Sequence, residues 1–245
     1  MNNATSFAGI WTYLAASPLL GLTVTLVAYQ AAYAIFRKAR FHPAANPVLI
    51  AVAILVPVLQ LTGTSYQTYF DGAQFVHFLL GPATVALAIP LYGQIRRLHA
   101  LMLPLALALV SGSLAAIVSA LAIGKVLGAS TVTLISLAPK SVTTPIAMGI
   151  AERLGGLPSL AALMVLTTGI IGAVGGSALY KLLKVRDPAM KGFAMGIAAH
   201  GIGTARAFQE SEQMGAFSAL AMGLNGLLTA ALLPLLLPLF AGWLL

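Results

Sequence analysis

The chain has no cysteine, which excludes a disulfide framework, a thiol nucleophile and a metal site built on thiolates. It is also poor in charge, since only 7% of its 245 residues are Asp, Glu, Lys or Arg, whereas 60% are hydrophobic. The mean hydropathy is +0.97. A soluble domain of this length needs far more charge to cover its surface, so the composition excludes a soluble globular protein.

Patterns typical of catalysis are absent as well. The sequence has no nucleophile elbow, no Walker loop and no His-Glu-x-x-His helix, and it holds only 5 carboxylates. Its histidines do not form a ligand set at helical spacing; they are His42, His77, His99 and His200. The net charge is +8, and the basic residues cluster in short loops between apolar runs, where they direct membrane topology. We therefore expect that the protein is not an enzyme and that it binds no metal, no other cofactor and no nucleic acid.

Long apolar runs make up most of the sequence. Runs without Asp, Glu, Lys or Arg cover residues 1–36, 41–70, 72–95, 98–124, 154–180 and 213–245. Each holds the roughly 20 residues that a membrane-spanning helix needs. The sequence therefore predicts an all-α polytopic membrane protein, a single membrane domain over residues 1–245 with about six to eight transmembrane segments.

Basic clusters predict the topology. A first span at 9–36 precedes Arg37, Lys38 and Arg40, which places the amino terminus outside. Further spans are predicted at 47–66, 75–95, 101–124, 157–183 and 214–245, with a short external turn at 66–72. The basic cluster at 181–191 should lie on the same side as Arg96 and Arg97, which requires an even number of crossings between them. Spans 101–124 and 157–183 already give two, so residues 126–151 must turn back or split into two short pieces.

Residues 137–150 carry the most polar part of that segment. Pro139 and Pro145 each delete a backbone donor, so nearby carbonyls lose their helical partners. Non-helical backbone at membrane depth is tolerated where it lines a cavity or is buried in protein. A charged lysine such as Lys140 costs free energy when it is placed in an apolar membrane segment. It therefore either faces a cavity, where it can bind an anion, or extends to water from a shallow loop. We expect a proline-broken or re-entrant helix pair with a polar site at its centre.

A second polar cluster lies in the glycine-rich segment 192–210, which is too polar for a simple span. Arg206 and Glu210 are spaced i and i+4, so in a helix they can pair and lower each other's cost of burial. Gly201 and Gly203 beside His200 permit close approach of a backbone or a substrate. An interfacial loop with an ordinary solvated ion pair is the alternative.

Two proline-containing segments resemble each other. Residues 82–89 and 139–146 share a proline, a hydroxyl residue two positions later, a valine and a final isoleucine. Paired interruptions of this kind are typical of transporters with repeats, so residues 47–124 and 126–245 can be pseudo-repeats, in an inverted arrangement. Chance matching in an Ala- and Leu-rich chain is the competing explanation.

The chain resembles the LrgB/CidB family of bacterial inner-membrane proteins. The resemblance is carried by the string Pro-Lys-Ser-Val-Thr-Thr-Pro at 139–145 and by residues 199–206 and 215–218. The likeness extends from residue 46 through the last span. The family includes the plastid glycolate/glycerate translocator, and its bacterial members are described as antiholins or murein-hydrolase regulators and as pyruvate-type carboxylate carriers. The resemblance also implies a small holin-like partner of the LrgA/CidA type and a bacterial inner-membrane location.

The residues favour a carrier of a small monocarboxylate or 2-hydroxycarboxylate (pyruvate- or glycolate-like) working by alternating access. Its candidate binding residues are Pro139, Lys140, Ser141, Thr143, Thr144, His200, Thr204 and Arg206, with His200 or Glu210 as a proton-coupling group. The alternative is an antiholin-like regulator of murein hydrolase export that acts with the holin-like partner. A scaffold for that partner and a homo-oligomer are further options that the sequence leaves open.

Overall fold

The computed structural model describes residues 18–239, and no strand occurs in that part of the chain. The helices are α1 (Pro18–Lys38), α2 (Pro47–Thr62), α3 (Tyr66–Ala86), α4 (Ala88–Tyr92), α5 (Ile95–Val126), α6 (Thr131–Leu137), α7 (Thr144–Leu154), α8 (Pro158–Leu182), α9 (Pro188–Glu210) and α10 (Glu212–Leu239). Five helical stretches are long and apolar enough to cross a membrane: α1, α3 with α4, α5, α8 and α10. With α2 as a shorter apolar helix, this confirms an all-α polytopic membrane protein. The predicted starts and ends at residues 9 and 245 lie outside the described residues.

The chain divides into two compact units, Met1–Ala86 and Leu87–Leu245. In the first unit, α1 packs against α2 and α3. Asn46 begins α2, because its side-chain oxygen accepts hydrogen bonds from the N–H groups of Val48 and Leu49. The second predicted span therefore starts where the sequence places it.

The predicted external turn at 66–72 is wrong, because these residues form the first turns of α3. The turn lies earlier, at Gly63, whose left-handed φ of 65° ends α2. The Ser65 hydroxyl then accepts a 3.1 Å hydrogen bond from the N–H of Thr68 and caps α3. The third span thus starts nine residues before the predicted position of 75, and Asp71 lies inside the helix, bonded to Gln67 at 3.0 Å.

In the second unit, contacts at the start of α5 fix one end of the bundle, which we call the basic end. Arg97 pairs with Asp187, the residue that caps α9. Gln94, just before α5, bonds to Gln213 in the first turn of α10 at 3.1 Å. Because Asp187 follows the basic loop between α8 and α9, Arg97 and that loop lie at the same end. The prediction from charge parity is confirmed.

Residues 131–154, with α6 and α7, form what we call the first hairpin. α6 has 7 residues and is therefore only about 10 Å long. A Cβ built at Gly124, near the end of α5, would lie 2.6 Å from Leu134 of α6. The N–H of Leu157, just before α8, donates to Ser136 of α6 at 2.8 Å. Since the end of α5 and the start of α8 meet the same short helix, the segment returns to the end from which it left, as the sequence predicts.

Residues 188–210, the whole of α9, form the second hairpin. His200 breaks the helix with φ 40° and ψ −134°. A Cβ built at Gly196 would lie 2.1 Å from the carbonyl oxygen of Ser218, and the hydroxyl of Thr204 lies 2.9 Å from the hydroxyl of the same Ser218. In a straight helix Gly196 and Thr204 would be about 12 Å apart along the axis, so the chain reverses at His200.

The two ends of the second hairpin also meet. The hydroxyl of Tyr180, in the last turn of α8, donates to the carbonyl of Lys191 at 2.9 Å. The hydroxyl of Ser177, one turn earlier, donates to the carboxylate of Glu210. Lys191 lies in the first turn of the hairpin and Glu210 ends it, so both ends lie beside α8, next to the basic end. The sequence prediction that 192–210 is no simple span is confirmed.

The second unit therefore contains the same motif twice, a long helix followed by a hairpin. α5 leads to the first hairpin at the far end, and α8 leads back to the second hairpin at the basic end, so the two hairpins enter from opposite ends. The sequence pairs Pro82 with Pro139, but Pro82 lies inside α3 whereas Pro139 lies in the turn between α6 and α7. The single membrane domain and the pseudo-repeats at 47–124 and 126–245 stay predictions.

Candidate functional site

The tips of the two hairpins meet at Asn225 of α10, which is buried. Its amide nitrogen donates to the carbonyl of Ser141 in the first tip at 3.0 Å and to the carbonyl of Ile197 near the second tip at 3.2 Å. Its amide oxygen accepts from the hydroxyl of Ser113 in α5. One side chain thus satisfies two backbone carbonyls that the breaks leave without helical partners.

Next to this junction lies a cleft of about 610 Å³, which we call the central cavity. Its walls come from α5, from the turn of the first hairpin, from α8 and from the first half of α9. The lining residues are Leu101, Pro104, Leu105, Ala108, Gly112, Ala116, Lys140, Ser141, Thr168, Ile171, Gly172, Met190, Phe193, Ala194, Ile197 and Ala198. Most of this surface is apolar, and the few polar groups lie toward the hairpin tips.

Lys140 is the one charged residue among those described as lining the central cavity. It lies in the non-helical turn 138–143, and its ammonium donates to the hydroxyl of Ser141 at 3.3 Å. The preceding Pro139 is buried and ends α6, so the turn is anchored on one side. An ammonium in an apolar cavity has few partners of its own, and a bound anion offsets its cost of burial.

Thr143 and Thr144 begin α7 at the same tip. Thr143 is the N-cap residue, but its side chain makes no capping hydrogen bond in the described structure. Helix α7 therefore directs the positive end of its dipole and unpaired N–H groups toward the tip that carries Lys140. Both threonines are partly buried, and neither lines the central cavity.

His200 lies at the second tip and is buried against α8. Its Nε2 is 2.9 Å from the carbonyl oxygen of Val165, and a Cβ built at Gly169 would lie 2.7 Å from its ring. Because the Asn225 amide bonds to both tips, the segment that carries His200 lies close to the turn that carries Lys140. The hydroxyl of Thr204 donates to the carbonyl of His200 at 2.8 Å, so Thr204 holds the turn. Neither His200 nor Thr204 is a lining residue of the central cavity.

Arg206 and Glu210 form the predicted i, i+4 ion pair, with a nitrogen-oxygen distance of 3.2 Å. They lie on the returning half of the second hairpin, where Glu210 also accepts from Ser177. Arg206 is about 9 Å along the helix from His200, and it does not line the central cavity. The structure thus brings together Pro139, Lys140 and Ser141, sets His200 near them, and leaves Arg206 and Glu210 outside the cavity.

Other residues of the site escape sequence reasoning. Thr168 contributes a second hydroxyl to the cavity, and Ser113 orients Asn225. Asn225 is an amide inside an apolar span, which predicts hydrogen bonding between helices, but its two carbonyl partners are not visible in the sequence. A serine or threonine in an apolar helix is too common a feature to single out Ser113 or Thr168.

The structure defines a multi-pass membrane protein whose site is built on discontinuous helices. It has helices long enough to cross a membrane, two opposed hairpins and a cavity with one ammonium among its described lining residues. A model of the LrgB-like family matches residues 25–239, and the chain belongs to this family. The family is one of membrane proteins, not of enzymes, in agreement with the sequence prediction.

Similar proteins carry antiholin names. Over 222 residues, 91% of this chain and 96% of the relative, the chain is 29% identical to "Antiholin-like protein LrgB" of Bacillus mycoides (strain KBAB4). Proteins of the same name from Bacillus cereus (strain B4264) and Bacillus anthracis (strain CDC 684 / NRRL 3495) match with the same identity and coverage. No solved structure matches the chain.

Proposed function

We propose that this protein carries small monocarboxylates or 2-hydroxycarboxylates, such as pyruvate or glycolate, across a bacterial plasma (inner) membrane. The observation that carries the proposal is Lys140, an ammonium held at a broken helix tip beside an apolar cavity of about 610 Å³. Discontinuous helices that meet near the middle of a bundle are a recurring way to build a transporter's binding site. A lesion-forming protein needs helices that aggregate, but it has no need of such a site.

In this proposal Lys140 and Ser141 contact the carboxylate, and the N–H groups of Thr143, the N-cap residue, and of Thr144, the first residue of α7, add to the positive potential. Pro139 keeps the turn non-helical. Thr204 and His200 shape the opposing tip, with His200 as the proton-coupling candidate near Lys140. Arg206 and Glu210 act at the base of the second hairpin, where Glu210 is the alternative proton-coupling group.

The two opposed hairpins support alternating access. Movement of the tips relative to the long helices would expose Lys140 first at one end of the bundle and then at the other. In the present conformation the cavity extends from Lys140 to Leu101 and Met190, which lie near the basic end. Basic loops face the cytoplasm, so we assign this conformation as open inward, with the amino terminus outside.

Uptake into liposomes tests the proposal. We expect saturable uptake of labelled pyruvate or glycolate, and we expect Lys140→Ala to lower it about 10- to 100-fold, because a charge-assisted hydrogen bond is lost. Lys181→Ala is the matched control, since Lys181 is exposed and does not line the cavity. Unsaturable uptake would contradict the carrier, and saturable uptake that is equal in both variants would contradict the role of Lys140 in it.

The names of the relatives favour a second candidate function. Proteins called antiholin-like suggest that this chain restrains a small holin-like membrane protein of the LrgA/CidA type, either alone or as a homo-oligomer. Dye-loaded liposomes containing such a partner test this function, with leakage expected to fall when this chain is added. Suppression of leakage that persists in Lys140→Met, without uptake of any acid, would favour the regulator over the carrier.

A further inference from the structure

The central cavity has a composition that restricts what it can hold. Among the described residues that line it, Lys140 carries the charge, Ser141 and Thr168 carry hydroxyls, and all others are apolar or glycine. Lys140 and Ser141 lie at the first tip, and Thr168 is next to Gly169, which contacts the ring of His200, whereas Leu101, Met190 and Phe193 line the apolar wall toward the basic end. A ligand in this cavity meets a small polar end and a much larger apolar surface.

We infer that the preferred substrate is a monocarboxylate with an aliphatic or aromatic tail and without an ammonium group. This inference rests on the proposed carrier function and names the substrate class of the same site. The carboxylate binds Lys140 and Ser141, and the tail lies along the apolar wall formed by α5 and the first half of α9.

Cavity size supports a tail. The cavity volume of about 610 Å³ is many times the roughly 30 Å³ that one water molecule occupies in the liquid. It also falls in the range of pockets that enclose drug-sized ligands, which are mostly apolar with a few placed polar groups. A three-carbon acid fills only a small part of this space and leaves most of the apolar wall in contact with water.

The charge and the apolar character of the described lining residues disfavour other classes of acid. A dicarboxylate would leave its second carboxylate without a cation, because Lys140 is the single cation among the described lining residues. An amino acid would bring an ammonium into a cavity whose described lining holds no carboxylate. A polyhydroxy acid would bury hydroxyls against leucine, phenylalanine and isoleucine.

Uptake assays with matched acids test the inference in liposomes that contain the full-length protein. The substrates are pyruvate, 4-methyl-2-oxopentanoate, 2-oxoglutarate and leucine, which separate tail, second carboxylate and ammonium. Each buried methylene is worth about fourfold in affinity. We expect a KM for 4-methyl-2-oxopentanoate at least about tenfold below that for pyruvate, and little uptake of 2-oxoglutarate or leucine.

A variant that fills the cavity gives an independent test. Ala108 lies on the cavity wall in α5, so Ala108→Phe occupies the space of the tail. Ala115 is exposed on the same helix and does not line the cavity, which makes Ala115→Phe the matched control. We expect Ala108→Phe to raise the KM for 4-methyl-2-oxopentanoate about tenfold or more while that for pyruvate changes less than about threefold.

The outcomes separate the inference from the carrier function. Uptake of pyruvate with a KM equal to or below that for the longer acid overturns the inference and leaves the carrier intact. Comparable uptake of 2-oxoglutarate or leucine overturns it in the same way. Absence of uptake for every acid overturns the carrier function and the inference with it. The expected order of KM values, lost in Ala108→Phe and kept in Ala115→Phe, supports both.

Discussion

His200 shows at the scale of one residue how the second tip is built. Its φ of 40° and ψ of −134° lie where glycine is comfortable and other residues are strained. Two hydrogen bonds stabilise this strained conformation. One joins the His200 ring to the carbonyl of Val165, and the other is accepted by the His200 carbonyl from the hydroxyl of Thr204. Strained positions of this kind cluster at functional sites, which agrees with the place of His200 at a hairpin tip.

Substitution of His200 separates backbone strain from side-chain contacts. His200→Ala and His200→Gly both lose the bond to Val165, but only glycine relieves the strained φ. We expect the glycine variant to be more stable than the alanine variant by about 1 kcal/mol, which raises Tm by about 2–4 °C for a chain of this size. Thermal unfolding in detergent measures the difference.

The neighbouring residue provides the control for this comparison. Ala199 is helical, so Ala199→Gly should lower Tm, because glycine gains nothing there and costs about 1 kcal/mol in a helix. Equal Tm values for His200→Ala and His200→Gly would contradict the positive φ at residue 200.

At the scale of elements, Asn225 connects two hairpins with two long helices, α5 and α10. Asn225→Ala leaves the carbonyls of Ser141 and Ile197 unpaired in a buried site, at about 1–3 kcal/mol for each unsatisfied group. We expect a fall in Tm of several degrees, together with loss of saturable uptake because the two tips are no longer held in register.

Ser113→Ala is the matched control for the Asn225 variant. It removes one donor to Asn225 but leaves both tip carbonyls paired, so its Tm should fall less. An Asn225→Ala protein with unchanged Tm would mean that water or another side chain satisfies the carbonyls, and that the amide does not couple the hairpins.

At the scale of the whole molecule, the hairpins decide which loops share a side of the membrane. α5 and α8 are each long and apolar enough to cross a membrane once, whereas the first hairpin returns to the end from which it leaves. Single cysteines in this cysteine-free sequence can therefore report topology with an impermeant label. We expect positions Leu127 and Glu152, both exposed, to be labelled from the same side, and the exposed Arg186 from the opposite side. Labelling of 127 and 152 from opposite sides would rule out the first hairpin.

Much of the membrane architecture could be predicted because it depends on local chemistry. Pro139 and Pro145 delete backbone donors wherever they lie, and clustered Lys and Arg favour one side of a membrane, so the turn-back at 126–151 follows from both. The start of α3 was mispredicted because Tyr66 and Asp71 suit an external turn by composition, whereas Gly63 and Ser65 supply the actual helix end and cap.

The candidate site was only partly predictable. Lys140 and Ser141 follow from one contiguous motif, and the structure brings them to one cavity. His200 and Arg206 are close in sequence, yet the reversal at His200 places Arg206 on the returning half of the hairpin, away from the cavity walls. A glycine-rich sequence permits that reversal but does not say which residue makes it, and Gly201 was the more natural choice.

The sequence by itself determined the membrane class, the family motif and the broken segment around Lys140, because apolar length, proline and charge act within a few residues of one another. Only the tertiary structure decided that the second break reverses the chain, that Asn225 joins both tips and that apolar residues wall the cavity. Asn225 lies 112, 84 and 28 residues from its partners Ser113, Ser141 and Ile197. Contacts over such separations form only when the helices pack, since each buried carbonyl must then find a donor.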